Sequence, residues 1–299
     1  MPKMNTPAMQ AYAKKHRKQK KYSAARESWK RLCRNRTAVI GLVIVALLVL
    51  MAIFANIIAP YGYQEQISAD AYQGPTAKHL FGTDNFGRDL FSRCVFGARY
   101  TLFLGMLCVI TATLTGGFIG MIAGYFGGRV DNIIMRFMDV LQAIPSVLLA
   151  ICISSALGNG VPQLVTAITI SSMPIMSKNY RAAIINVKTA EYVESSKAIG
   201  VGRMRMLFKH MIPNAIGVMI IYVVGMMSTS ISVIASLSYL GVGLNPPAAE
   251  WGLILSESKA FFTAFPYMLL FPAGMIALAT LSLNMLGDGL RDAFDPKLK

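Results

Sequence analysis

The sequence predicts an all-α polytopic membrane protein with six transmembrane helices. Three observations carry that prediction. Of 299 residues, 55% are hydrophobic and only 14% are charged. Several uncharged runs reach the roughly 20 residues that a helix needs to cross a bilayer. The net charge of +15 is concentrated in two segments. An average soluble domain is about a quarter charged, and a disordered chain has low hydrophobicity. A soluble nucleic-acid binder spreads Lys and Arg over a globular surface, so no nucleic-acid partner is expected.

Residues 1–37 are polar and basic, with a net charge of +11 and the run Lys14, Lys15, His16, Arg17, Lys18. The uncharged stretch Ala38–Ala59 follows. It is longer than the apolar region of a cleavable signal peptide and reads as an uncleaved signal-anchor helix. Residues 60–99 mix charges and are broken by Pro60, Gly62, Gly74 and Pro75. Within them Leu90, Phe91, Cys94, Val95 and Ala98 recur at helical spacing. That pattern predicts an amphipathic helix lying on the membrane surface and feeding the next span.

Tyr100–Gly128 carries no charge and gives the second span. Val140–Ser177 is charge-free over 38 residues, too long for one span. The turn signal Gly158-Asn159-Gly160-Val161-Pro162 divides it into spans three and four. Residues 178–209 read as a polar loop with a net charge of +5. The fifth span runs from about Pro213 to Tyr239, and Ala260–Gly287 is the sixth. An even number of spans places both termini on one side, and the positive-inside rule makes that side the cytoplasm. The chain thus divides into a cytoplasmic segment 1–37, a first transmembrane helix 38–59, an extracytoplasmic loop 60–99, a five-helix core 100–290 and a cytoplasmic tail 291–299.

Gly105, Gly116, Gly117, Gly120 and Gly124 approach the spacing that lets membrane helices pack closely. Ser228, Thr229, Ser230 and Ser232 in span five suit either interhelical hydrogen bonding or a polar pathway. Arg136 and Asp139, at i, i+3 near the start of span three, suit either gating or a paired charge snorkelling to the interface. The four cysteines form no CxxC pair, and the three histidines have no metal spacing. The loop Gly82–Asp89 has two carboxylates but lacks the ligand pattern of a calcium loop and reads as a structural turn. No nucleophile–base pair stands at membrane depth, so no catalytic residue and no metal site are expected.

The segment Lys188–Pro213 is too polar for the bilayer and too regular for a loop. Thr189 suits an N-cap, and Glu191 and Glu194 complement the helix dipole. Lys197 follows Glu194 at i+3, and Gly200 suits the left-handed residue past a helix end. A second short helix is expected over Arg203–Met211, with Pro213 opening span five. The pattern Glu194-Ser195-Ser196, Gly200, Ile212-Pro213 resembles the EAA loop of ABC importer permeases, with serines for both alanines, His210 where Ile is frequent and Ile212 for Leu. His210, Pro213 and Asn214 resemble its peptide-transporting branch. Arg31–Tyr61, Leu80–Asp89, Ala123–Gly128, Leu240–Leu244, Trp251-Gly252 and Asn284–Asp292 are similar to the dipeptide/oligopeptide permease C-type subunit.

That resemblance implies a type I ABC importer permease fold and a subunit of the cell membrane that is not itself an enzyme. It implies a second homologous permease, two cytoplasmic ATPases that use ATP and Mg²⁺, and an extracytoplasmic solute-binding protein. The chain has no GxxxxGK[ST] motif of its own and no cofactor. Glu191, Glu194, Ser195, Ser196, Gly200 and Arg203 become the candidate ATPase-coupling residues. The implied cargo is a di- or oligopeptide; nickel chelates or another small solute are the alternative. A stand-alone secondary transporter would need mid-span carboxylates and an inverted repeat, neither of which is visible.

Overall fold

The computed structural model describes residues 24–294. The basic run 14–21 and the end of the tail lie outside the described residues. Every regular element among those described is helical, and the only β feature is an isolated bridge between Thr83 and Asp89.

Helix α1 (Ala24–Arg34) falls in the stretch expected to be a polar segment. It ends at Asn35, whose Oδ1 accepts from the N–H groups of Thr37 and Ala38 and so caps α2 (Arg36–Ile53). Asn35 Nδ2 also donates to Asp292 at 3.1 Å, tying this corner to the far end of the chain. A kink at Phe54 leads into α3 (Ala55–Ile58). The outer side of α2 is Ile40, Val43, Leu47 and Ile53, all exposed, as a lipid-facing helix requires. Its inner side meets α11 (Tyr267–Phe294) so closely that a Cβ on Gly41 would lie 2.6 Å from the Ser282 carbonyl oxygen.

Helix α4 (Leu90–Phe126) is 37 residues long. Asp89 caps it by accepting from the Ser92 N–H at 2.7 Å. The amphipathic segment expected on the membrane surface is the first part of this same helix. Leu90, Cys94, Val95 and Ala98 are buried in protein, and the indole N–H of buried Trp251 donates to the Cys94 carbonyl at 2.8 Å. The periodicity was therefore real, but the apolar stripe covers a neighbouring side chain instead of lipid.

The glycines of α4 do pack. A Cβ on Gly116, Gly120 or Gly124 would strike the backbone of Met173, Ser177 or Arg181 in α7 (Val161–Lys188), and one on Gly117 the ring of Tyr180. Ser177 Oγ donates to the Gly116 carbonyl at 2.7 Å. That contact falls where α4 widens into a π turn at Thr113–Gly117.

Span three is not one straight helix. Helices α5 (Gly128–Gln142) and α6 (Ser146–Leu157) meet at 81°. Pro145 between them has no N–H and disfavours helix in the residue before it. Helix α7 then runs eleven residues past the expected span end at Ser177, to Lys188. The charges that suggested a loop are satisfied by neighbouring helices. Arg181 forks onto Asp131 of α5 at 2.5 and 2.6 Å, and Lys188 Nζ donates to the Tyr125 carbonyl at 2.7 Å.

After α8 (Glu191–Ala198), α9 (Arg203–Tyr239) forms a second 37-residue helix. The short helix expected before Pro213 is part of it. A π turn at Met206–Met211 precedes Pro213. The wider turn makes room for a residue that cannot donate and whose ring crowds the previous turn. Helix α10 (Trp251–Ser258) is short and buried. Glu250 caps it, accepting from Gly252 and Leu253 at 2.8 and 2.9 Å. Burial pushes this carboxyl above its ordinary range, opposed by those N–H donors. The sixth span, α11, begins at Tyr267, later than the charge-free run suggested.

Among the described residues α2, α4, α9 and α11 are long and apolar enough to cross a membrane; the bent α5–α6 pair makes five. The expected six are not all recovered by this measure, because α7 carries Gln163, Thr166, Thr169, Ser171 and Ser172 in its first half. Helix α7 packs against α4, α5, α6 and α9. Its side chains meet protein on most sides and need not be apolar.

The segment before α4 is held by buried charges. Asp84 Oδ2 accepts from Arg88 Nε at 2.5 Å and Arg93 Nη1 at 2.8 Å. Glu257 Oε2, from α10, accepts from Arg93 Nη2 at 2.6 Å and Arg88 Nη2 at 3.3 Å. His79, fully buried, meets Asp89 at 2.8 Å. The loop of two carboxylates is a structural turn, as its sequence suggested, and its ion pairs are a feature the sequence reading did not foresee.

Candidate functional site

Only Thr189 and Ala190 separate α7 from α8. Thr189 was expected to cap α8. Its hydroxyl instead donates backwards to the Asn186 carbonyl at 3.1 Å, closing the end of α7. Glu191 and Glu194 occupy the first turn of α8, where their charge complements the exposed N–H groups. Both carboxylates are exposed. Ser195 Oγ donates to the Glu191 carbonyl at 3.0 Å and Ser196 Oγ to the Tyr192 carbonyl at 2.7 Å. Folding the hydroxyls back onto the helix leaves a low, flat surface around the two acids. The expected Glu194–Lys197 pairing involves a side chain outside the described residues.

Gly200 has φ +80°. The Val201 N–H returns to the Ser196 carbonyl at 3.2 Å, which is the six-to-one bond of a left-handed helix stop. That geometry turns the chain toward Arg203, the exposed first residue of α9. The candidate coupling residues Glu191, Glu194, Ser195, Gly200 and Arg203 therefore share one short exposed excursion between α7 and α9. Ser196 is half-buried within it.

One side chain anchors this excursion. Val193 is fully buried and belongs to the same cluster as Met206, Leu207 and Met211 of α9. Sequence reasoning missed both this anchor and an exposed apolar set around it: Tyr192, Ile199, Met204 and Phe208. Ile199 is 81% exposed. Apolar side chains in a polar, strongly basic segment were the available signal, since a segment outside the bilayer has no lipid to cover them.

Arg136 and Asp139 do not pair as the i, i+3 spacing suggested. Asp139 pairs with Lys178 of α7 at 2.7 Å, and both side chains are more than a third exposed. Among the described residues no three or more His, Cys, Asp or Glu side chains converge as metal ligands, and the cysteines are free.

Residues 116–299 match the family described as binding-protein-dependent transport system inner membrane component, and residues 23–75 match the N-terminal TM domain of oligopeptide transport permease C. The dipeptide transport system permease protein DppC of Alkalihalophilus pseudofirmus is 41% identical over 92% of this chain and 90% of its own. The oligopeptide permease OppC of Bacillus subtilis is 39% identical over 94% and 92%. The glutathione permease GsiD of Pectobacterium atrosepticum is 38% identical over 92% and 91%. Among solved structures, a chain of the inward-facing MetNI methionine ABC transporter superposes with a TM-score of 0.57 at 14% identity, covering 68% of this chain and 97% of that one.

Proposed function

The chain belongs to the family of binding-protein-dependent transport system inner membrane components, and from that premise we propose that it forms half the pore of an ATP-driven importer of di- or oligopeptides. The family is a membrane component of ABC importers, served by separate ATPases and a solute-binding protein. The chain is a multi-pass membrane protein and not itself an enzyme.

The observation that carries the proposal is the exposed excursion at Glu191–Arg203. It presents two carboxylates, a flat serine surface and the apolar Tyr192 on a helix rooted at Val193, with the apolar Ile199 just past its end and Met204 in the first turn of α9. Such a knob suits a groove on a soluble partner, and a cytoplasmic ATPase is the partner assigned to it. ATP and Mg²⁺ belong to that ATPase, whose closure pushes on α8. Helices α7 and α9, which flank the knob directly, carry the displacement into the membrane. A switch of this kind is a rigid-body transition between two packed arrangements, biased by ligand.

The remaining parts follow. A second homologous permease completes the pore, α7 supplies the sixth crossing, and both termini face the cytoplasm with the +11 segment. A peptide cargo is supported by the names of the relatives, glutathione being itself a peptide. Purification in mild detergent tests the proposal. An ATPase and a second permease should accompany the chain, and uptake by proteoliposomes should need both plus a binding protein. Solute uptake by the chain reconstituted alone would overturn it.

A further inference from the structure

One face of α9 is left exposed by the described residues. Gly225, Thr229, Ser232 and Ser236 are exposed along it at helical spacing. Between Ile220 and Tyr239 no large apolar side chain of α9 is exposed. The lipid-facing helices look different: α2 exposes Ile40, Val43 and Leu47, and α11 exposes Leu270, Leu278 and Leu281. A face at membrane depth that carries glycine and hydroxyls in place of Leu and Ile is not built for lipid.

Two cavities lie against that face. One, of about 280 Å³, is bounded by α7, α9 and the last turns of α11, with Ser172, Asn179, Tyr222, Thr229 and Arg291 on its wall. The other, of about 520 Å³, lies between α9, α10 and α11, with Ser232, Ser236, Tyr239 and Leu255 on its wall. Together they follow α9 from Ile221 to Leu240. At 1.5 Å per residue that is roughly 29 Å, close to the thickness of a hydrocarbon core at about 30 Å.

The chemistry of the wall is specific. Thr229 donates its hydroxyl proton to the Gly225 carbonyl at 3.2 Å, Ser232 to Ser228 at 3.2 Å and Ser236 to Ser232 at 2.8 Å. With those protons held inside the helix, the oxygens offer lone pairs outward and accept from N–H donors. No Asp or Glu lines either cavity, and Arg291 is the one cation on their walls. A wall of hydroxyls set among small and apolar side chains, with Arg291 as its one charge and no carboxylate, suits the amide groups that every peptide carries, whatever its side chains.

We propose that this face of α9, with Ser172 and Asn179 of α7 and with Arg291, is the chain's share of the translocation pathway, and that it handles peptide main chain and not side chains. The proposal rests on the peptide-importer reading. Once formed, such a wall leaves selection to other components and offers moving peptide many weak, equivalent partners, as conduction requires.

The intact transporter, with the four native cysteines replaced, tests this through Thr229→Cys, Ser236→Cys and the reference Ile110→Cys, an exposed apolar position of α4. The probe is a permanently charged methanethiosulfonate in water. Thr229→Cys and Ser236→Cys should react, Ile110→Cys should not, and modification should lower peptide uptake about tenfold by narrowing the passage. With an uncharged methyl methanethiosulfonate adduct on the same cysteines, uptake of an Ala-Lys and an Ala-Glu dipeptide should fall by the same factor. If both cysteines are as inert as Ile110→Cys, the face is dry, closed by lipid or by the second permease, and the pathway assignment fails. Unequal loss of the two dipeptides would overturn the main-chain assignment. An unmodified complex that imports no peptide would instead break the importer reading itself.

Discussion

Asp84 and Glu194 are both acidic residues with basic neighbours in polar segments that connect membrane helices. Asp84 is 2% exposed and gripped by two arginines; Glu194 is exposed and takes no ion pair among the described residues. Around Asp84 the chain is tied to α10 by Glu257, far away in sequence, so that one segment becomes part of the packed body. Around Glu194 the chain is held by the single buried Val193. The same residue types thus make a fixed end and a presented end. The difference lies in where the carboxylate sits: Asp84 finds its donors within the chain, and Glu194 stands in the open, where the proposed ATPase contact would meet it.

The largest expected effect breaks the fixed end. Arg93→Ala takes from buried Asp84 one of its two arginines and from half-buried Glu257 one of its two donors. Losing one partner of a buried ion pair costs about 3–5 kcal/mol. The detergent-solubilised protein should lose its cooperative thermal transition or unfold many degrees lower. An unchanged transition would show that the charges are solvated in the membrane.

Next comes Val193→Ala, which removes apolar surface worth roughly 1–2 kcal/mol by area. Hydrogen exchange should quicken across residues 189–205 and stay unchanged at 79–93. Quickening at both ends would deny that they are independent. Gly200→Ala is expected to be milder: a Cβ meets no atom within 4 Å there, so the cost is the left-handed backbone, about 1 kcal/mol. Uptake should fall while assembly persists. Smallest is Asp139→Asn. Its pair with Lys178 is exposed, and such pairs contribute about 0–1 kcal/mol. Uptake near the wild-type rate would remove Arg136 and Asp139 from gating; a large loss would restore them.

Much of this was legible in the sequence, for physical reasons. The apolar runs marked α2, α4, α9 and α11 because lipid demands uncharged side chains. The Glu194–Gly200 spacing marked α8 and its left-handed stop because only glycine adopts that turn at no cost. What escaped depended on partners distant in the chain. Lys178 and Arg181 read as a loop because Asp139 and Asp131, which neutralise them, lie on another helix. Arg88 read as part of a structural turn and Arg93 as part of a surface helix because Glu257, which they grip, lies 169 and 164 positions away. The break at Pro145 was hidden by neutral residues on both sides, where only the charge count was followed. Buried Val193 looked like any other residue of a polar helix.

The central claim is that the presented end passes ATPase movement into the membrane. Glu194→Lys tests it most directly, with uptake and co-purification measured on the same preparation. Peptide uptake should be abolished while the chain still inserts and keeps its thermal transition, because Glu194 is exposed and takes no ion pair among the described residues. Normal uptake by Glu194→Lys would contradict the claim.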